Sequence, residues 1–462
     1  MAVTEERDAL GTITNPRPGR WVDHHDPEDR AQWESTGRPA ARRNLWLSIF
    51  AEFLGFSVWQ LWTIVTPRLN DAGFSLTTNQ VFWLIAVPNL VGATLRFPYT
   101  FAVPRFGGRN WTIVSALLLI VPCVGLAVVV QNPQTPFWVM VLVAATAGFG
   151  GGNFASSMAN ISFFYPEREK GAALGLNAAG GNLGVAVVQL VVPVVVVIGG
   201  GLALDRAGLM ILPLAVLAAV LAWRFMDNLS TARSDFGGYA AAVRNKHTWV
   251  ISFLYIGTFG SFIGYAGVFP TLIAQQFPQV SFDWGFLGLP QVPLTLAFLG
   301  ALVGSLARPY GGRLSDHLSG GRVSIASYLV MALGALGVVL ALSLGSFAMF
   351  FTCFLVLFVA SGIGNGSIYR MIPAIFRAGV DPEDRAAMTM AKRQAAACIG
   401  IAAGIGAYGG FVIPRVFATS ITDFGSLTPA LAVFTGFYLV CAAVTAVVYV
   451  RGRATRFAGT AV

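Results

Sequence analysis

Charge, histidine and cysteine are scarce in this 462-residue chain, and each scarcity argues against a class of function. Only 11% of residues are charged, 55% are hydrophobic, and the mean hydropathy is +0.68. Such a surface cannot stay in water, so the chain reads as a polytopic membrane protein. The histidines His24, His25, His247 and His317 lie in the N-terminal tail, at a span start and in a loop. None is deep in a span, which disfavours haem bundles and membrane histidine relays. Cys123, Cys353, Cys398 and Cys441 fall within separate apolar spans and read as free thiols packed like small apolar side chains. No metal or cofactor is therefore expected. There is no G-x-x-x-x-G-K-[ST] run to cradle a nucleotide, which disfavours an ATP-driven pump. Residues up to Arg43 hold no apolar run, so no cleavable signal peptide is expected there.

Apolar sequence is what the chain has in abundance. Spans recur at roughly 44–66, 79–103, 110–131, 136–164, 170–199, 207–226, 247–277, 284–310, 322–343, 346–376, 386–413 and 427–450. Each is long enough to cross a bilayer as a helix. They predict an all-α membrane protein of twelve transmembrane helices in two pseudo-symmetric six-helix bundles. The bundles would be 44–226 and 247–450, joined by a loop at 227–246. Tails at 1–43 and 451–462 would flank them, the first soluble and flexible.

Lys and Arg orient the spans. With the N-terminus cytoplasmic, 24 of the 30 fall on the inner side and three on the outer (Arg68, Arg206, Arg415). That asymmetry places both termini in the cytoplasm and accounts for the basic pI without nucleic-acid binding. The remaining three, Arg96, Arg308 and Arg370, lie inside spans. A charge at that depth is costly and usually serves a pathway or a binding site. Arg370 sits near an inner helix end and reads as interfacial. Arg308 would reach the interface too if Gly311-Gly312 ended its helix early.

The chain repeats itself. Arg96-Phe-Pro-Tyr…Gly107-Gly108-Arg109 is echoed by Arg308-Pro-Tyr…Gly320-Gly321-Arg322, about 212 residues later. Tyr165-Pro-Glu-Arg168 is likewise echoed by Asp381-Pro-Glu-Asp-Arg385. Internal symmetry with a site between the repeats is typical of secondary transporters, and a matched pair of arginines suggests an anion there. The fifth span carries Gly171, Gly175, Gly180, Gly181 and Gly184; the eleventh carries Gly400, Gly404, Gly406, Gly409 and Gly410. Such faces permit close helix packing and could let helices slide. Asn177 and Asn182, between the fifth-span glycines, want polar partners.

The loop Gly312–Arg322 resembles the Gly-x-x-x-Asp-Arg/Lys-x-Gly-Arg loop of the major facilitator superfamily. Its first-half counterpart, Pro104–Arg109, lacks the Asp, which leaves open how the first half latches. The run Gly151-Gly-Asn-Phe-Ala-Ser-Ser-Met-Ala-Asn-Ile-Ser-Phe-Phe-Tyr-Pro166 resembles the nitrate/nitrite porters of that superfamily. So do Leu95–Tyr99, Tyr255–Gly264 and Ala307-Arg308. The resemblance implies a multi-pass, monomeric transporter of the bacterial cytoplasmic membrane, moving nitrate and nitrite in nitrate assimilation. It implies Arg96 and Arg308 as the anion-binding pair, Phe154, Asn182, Tyr255 and Phe259 as pocket residues, and the two glycine runs as nitrate signatures.

Nitrate is flat, trigonal and monovalent, and a guanidinium offers a permanent planar fork of donors. Nitrite shares that charge and planarity, and no residue in the sequence must reject it. Of the 21 Asp and Glu, only Glu52 lies within a span. An ionised carboxylate is costly at that depth, so Glu52 is the candidate proton carrier of a nitrate/proton symporter. Nitrate/nitrite antiport is the alternative, with Glu52 then a structural carboxylate. An anion channel built on similar arginines is a reading from another class, opposed by the repeat and the glycine faces.

Overall fold

The computed structural model describes residues 20–284 and 289–451. Helix α1 (Arg38–Trp59) bends by 42° at Gln60 and continues as Leu61–Arg68. There follow α2 (Thr78–Phe106), α3 (Gly108–Val129), α4 (Phe137–Phe164), α5 (Glu167–Val195) and α6 (Arg206–Phe225). The second half holds α7 (Lys246–Gln276), α8 (Phe298–Leu318), α9 (Gly320–Ser343), α10 (Phe347–Arg377), α11 (Arg385–Phe424) and α12 (Thr428–Val450). Ten of these are long and apolar enough to cross a membrane, and the bent α1 makes an eleventh. Arg308, Arg313 and Asp316 fall within the 21 residues of α8 and lower its apolar character.

The eighth span begins later than its apolar run suggests. Among the described residues, Trp284 and residues 289–297 are not helical; β3 (Asp283–Trp284) and β4 (Leu289–Pro293) pair antiparallel instead. Pro290 and Pro293 explain the exclusion, since neither can donate to a helical ladder. At its other end α8 runs straight through Gly311-Gly312 to Leu318. A Cβ on Gly311 would strike the Ile363 carbonyl, so this glycine serves close packing on α10 rather than termination.

The sequence repeat is a repeat of backbone. Gly107 ends α2 with φ 87° and ψ 145°, and Ser319 ends α8 with φ 81° and ψ 143°. These residues are also 212 apart. Ser319 is the only described non-glycine residue with positive φ.

The N-terminal tail, expected to be free, is instead clipped to the bundle from residue 20 onward. β1 (Trp21–Val22) pairs in parallel with β2 (Asn228–Leu229) beyond α6. Asp227 accepts from Arg20 (3.1 Å), Arg43 (2.6 Å) and Asn44 (2.9 Å). Buried Trp33 donates Nε1–H to Glu169 at the start of α5 (3.1 Å), and the Glu28 carboxylate accepts the Glu167 amide (2.7 Å). This also answers how the first half manages without an Asp in its α2–α3 turn. Arg109 donates to the Trp223 carbonyl (2.6 Å), and Asn228 Oδ1 accepts the Asn110 amide (3.2 Å). The second half uses the ion pair between Asp316 and Arg370.

The clip is pH-sensitive through His25, whose Nε2 lies 3.1 Å from the Phe164 carbonyl. Burial holds the imidazole below its ordinary value, against the opposing pull of that hydrogen bond and of Asp26 and Asp227. The undocked tail therefore binds a proton before the docked tail does, and docking weakens as pH falls below about 6.5. Amide exchange across residues 21–37 should accelerate over that range, and His25→Gln should flatten the dependence.

The bundles meet on the face away from the termini. There Arg415 of α11 donates to Asn79 Oδ1 of α2 (2.8 Å) and lies 4.3 Å from the Trp83 ring. Gln189 of α5 donates to the Ala266 carbonyl of α7 (2.7 Å). Toward the termini, Gly171 and Gly175 of α5 face open space.

Candidate functional site

Arg96 and Arg308 each sit ten residues before the end of their helix, about 15 Å of rise from it. Neither snorkels: Arg96 is 1% exposed and Arg308 6%. Arg96 donates Nε–H to the Gly151 carbonyl of α4 (3.2 Å) and Nη1–H across the bundle interface to the Ala403 carbonyl of α11 (2.8 Å). Its guanidinium is caged by the rings of Phe154 (4.6 Å), Phe259 (5.1 Å), Trp59 (5.2 Å) and Phe56 (6.0 Å). Arg308 donates Nη2–H to the Tyr255 hydroxyl (3.2 Å) and lies 4.8 Å from the Tyr369 ring. Each arginine retains one buried nitrogen without a partner: Nη2 of Arg96 and Nη1 of Arg308.

An aromatic ladder joins the two cations. Phe259, against Arg96, stacks on Tyr255 (5.2 Å, 10°); Tyr255 stacks on Tyr369 (4.9 Å, 21°), which meets Arg308. Phe154 stacks on Phe259 at 6.5 Å. Arg96, Arg308, Phe154, Tyr255 and Phe259 are thus one contiguous site. Asn182 is buried on α5 with its Oδ1 unpartnered.

The glycine runs explain how the ladder fits. Ile256–Gly260 forms one wide π turn in α7, directly after Tyr255, and such turns re-aim side chains. Cβ atoms on Gly406, Gly409 and Gly410 of α11 would strike Tyr255, Gly260 and Ile263. The α11 glycines therefore make room for the turn that carries Tyr255 and Phe259. On α5, Gly180, Gly181 and Gly184 do the same for α1, against Ile49, Glu52 and Phe53. Gly404 abuts Phe97, and Gly400 abuts Tyr239 of the helix Phe236–Arg244. Gly171 and Gly175 touch nothing in this state.

Glu52 is fully buried. Its Oε2 accepts from Asn177 Nδ2 (2.7 Å), which also reaches Ser157 Oγ (2.7 Å). Its Oε1 closes no well-aligned hydrogen bond, although the Ser157 hydroxyl also stands close to the carboxylate. Asn177 thus has the polar partner it was expected to need. The carboxylate lies within electrostatic reach of both arginines.

Sequence reasoning missed Tyr369, Trp59 and Phe56. Aromatic residues in apolar spans look like packing, and Tyr369 was overshadowed by its neighbour Arg370. The repeat held a signal: the 212-residue offset that relates Asn153 to Asn365 also relates Ser157, beside Asn177, to Tyr369.

Comparison with known proteins shows the family and the fold. The model of the Major Facilitator Superfamily matches residues 45–405. Over 450 residues, 92% of this chain and 95% of the relative, it is 41% identical to the nitrate/nitrite transporter NarU of Escherichia coli (strain K12). It is 38% identical to the probable nitrate/nitrite antiporter NarK2 of Thermus thermophilus, over 89% of this chain and 92% of that one. Among solved structures, a D-xylose-proton symporter is similar in fold, with a TM-score of 0.65 at 15% identity, over 88% of this chain and 97% of that one.

Proposed function

The chain belongs to the nitrate/nitrite porters of the major facilitator superfamily, and from that premise we propose that it is a nitrate/proton symporter whose proton carrier is Glu52. Nitrate binds between Arg96 and Arg308, each offering an unpartnered N–H while the aromatic rings flank the flat ion. Two unneutralised guanidinium groups repel each other, so the empty site resists closure from the inner side. An anion bridging them removes that resistance and ties α2 to α8, one helix from each bundle.

The observation that carries the symport reading is Glu52, sealed from solvent with Oε1 in no well-aligned hydrogen bond and both arginines within its field. A proton on the carboxyl removes the cost of a buried charge there. A deprotonated Glu52 offsets part of the arginine charge, which lets the carrier return without an anion. Antiport is the second reading, favoured by the 38% identity to a relative named as a probable nitrate/nitrite antiporter.

Proteoliposomes under an inward nitrate gradient separate the two. Symport predicts lumen acidification with nitrate uptake in the wild type, and its loss in Glu52→Gln. If uptake leaves lumen pH unchanged, is indifferent to Glu52→Gln and is stimulated by internal nitrite, antiport holds instead. Saturable counterflow in the same vesicles rules out a continuously open channel.

A further inference from the structure

We propose that Tyr369 is the residue that favours nitrate over nitrite, by donating its phenolic hydrogen to the oxygen that nitrite lacks. The inference rests on the anion-binding reading above and deepens it.

Tyr369 lies on α10, stacked on Tyr255 (4.9 Å) and 4.8 Å from the Arg308 guanidinium. Its hydroxyl is sealed from solvent and closes no well-aligned hydrogen bond, although the Arg308 guanidinium and the Tyr255 hydroxyl stand close to it. A buried hydroxyl left unpaired is costly, and a phenylalanine would preserve every ring contact without that cost. A protein that retains the oxygen here has something for it to bind. The Tyr255 hydroxyl is differently placed, since it already accepts from Arg308 Nη2.

Three buried donors along the ladder therefore lack a well-aligned partner: Arg96 Nη2, Arg308 Nη1 and the Tyr369 hydroxyl. Nitrate presents three equivalent oxygens in a plane. Nitrite presents two, and its third direction holds only a nitrogen lone pair. The two arginines satisfy either ion equally, one oxygen each. The third donor finds an oxygen only in nitrate. A site built to hydrogen-bond a group discriminates against the analogue lacking it, because its own polar atom stays unpaired.

The test is anion binding to purified protein in a gluconate buffer, with nitrate and nitrite each titrated calorimetrically. Tyr369→Phe should weaken nitrate on the order of tenfold, the value of one hydrogen bond to an ion. Nitrite affinity should change less than about twofold on the same reasoning. Tyr255→Phe, which removes the partner of Arg308, should weaken both anions by a similar factor. Without anion, the thermal transition of Tyr369→Phe should equal or exceed that of the wild type. A fall there would reveal an internal hydrogen bond and overturn the proposal. A nitrate-to-nitrite ratio unmoved by Tyr369→Phe, in a wild type that binds both, would also overturn it while leaving the anion site intact. Failure of the wild type to bind either anion would instead remove the reading on which it rests.

Discussion

Arg96→Lys and Arg308→Lys should each lower nitrate uptake into proteoliposomes by about a hundredfold or more, although the charge is kept. Lysine supplies a point ammonium in place of a planar fork, and the fork is used in several directions at once. At position 96 it holds the Gly151 and Ala403 carbonyls, rests among four aromatic rings and still presents a free Nη2. An ammonium cannot span those carbonyls and also address an anion. At position 308 one nitrogen binds Tyr255 while the other stays free. Losing two charge-assisted hydrogen bonds costs about 3 kcal/mol, which is a factor of a hundred or more. Wild-type uptake in either variant would contradict the assignment.

The second large effect is on stability. Gly409→Ala should lower the thermal stability of the purified protein by about 2–3 kcal/mol, as overpacking of a tight interface does. The new methyl would meet the backbone of Gly260, inside the wide turn of α7, and backbone cannot step aside as a side-chain tip can. Gly175→Ala provides the contrast. It faces open space, so its variant should be as stable as the wild type or more so by up to about 1 kcal/mol, the helix-propensity difference. Equal behaviour of the two variants would show that the α11 glycines do not bear on the α7 turn.

That contrast also marks the limit of reading the glycine runs from sequence. Spacing alone gives Gly175 and Gly409 the same meaning, whereas one lines an opening and the other a backbone contact. The features that were legible share one property: each is local in sequence or repeated at a fixed offset. Apolar runs, inner-loop arginines, the 212-residue echo and the matched Arg96 and Arg308 are of this kind. The need of Asn177 for a partner was also legible, but not that the partner is Glu52, 125 residues away. The tail clip escaped notice because β1 and β2 are two residues each and meet across about 200 residues of chain. The late start of α8 turns on Pro290 and Pro293, which an apolar run conceals. Tyr369, Trp59 and Phe56 were hidden because an aromatic ring that cages a cation looks, in one dimension, like any other ring in a membrane span.

The most direct test of one anion held by two guanidinium groups is a double-mutant cycle on nitrate affinity, with Arg96→Lys, Arg308→Lys and the double variant. Groups that share a ligand couple, so the double variant should lose little more affinity than either single one. Losses that simply add would mean that the two arginines act on separate ions, and the shared site would be wrong.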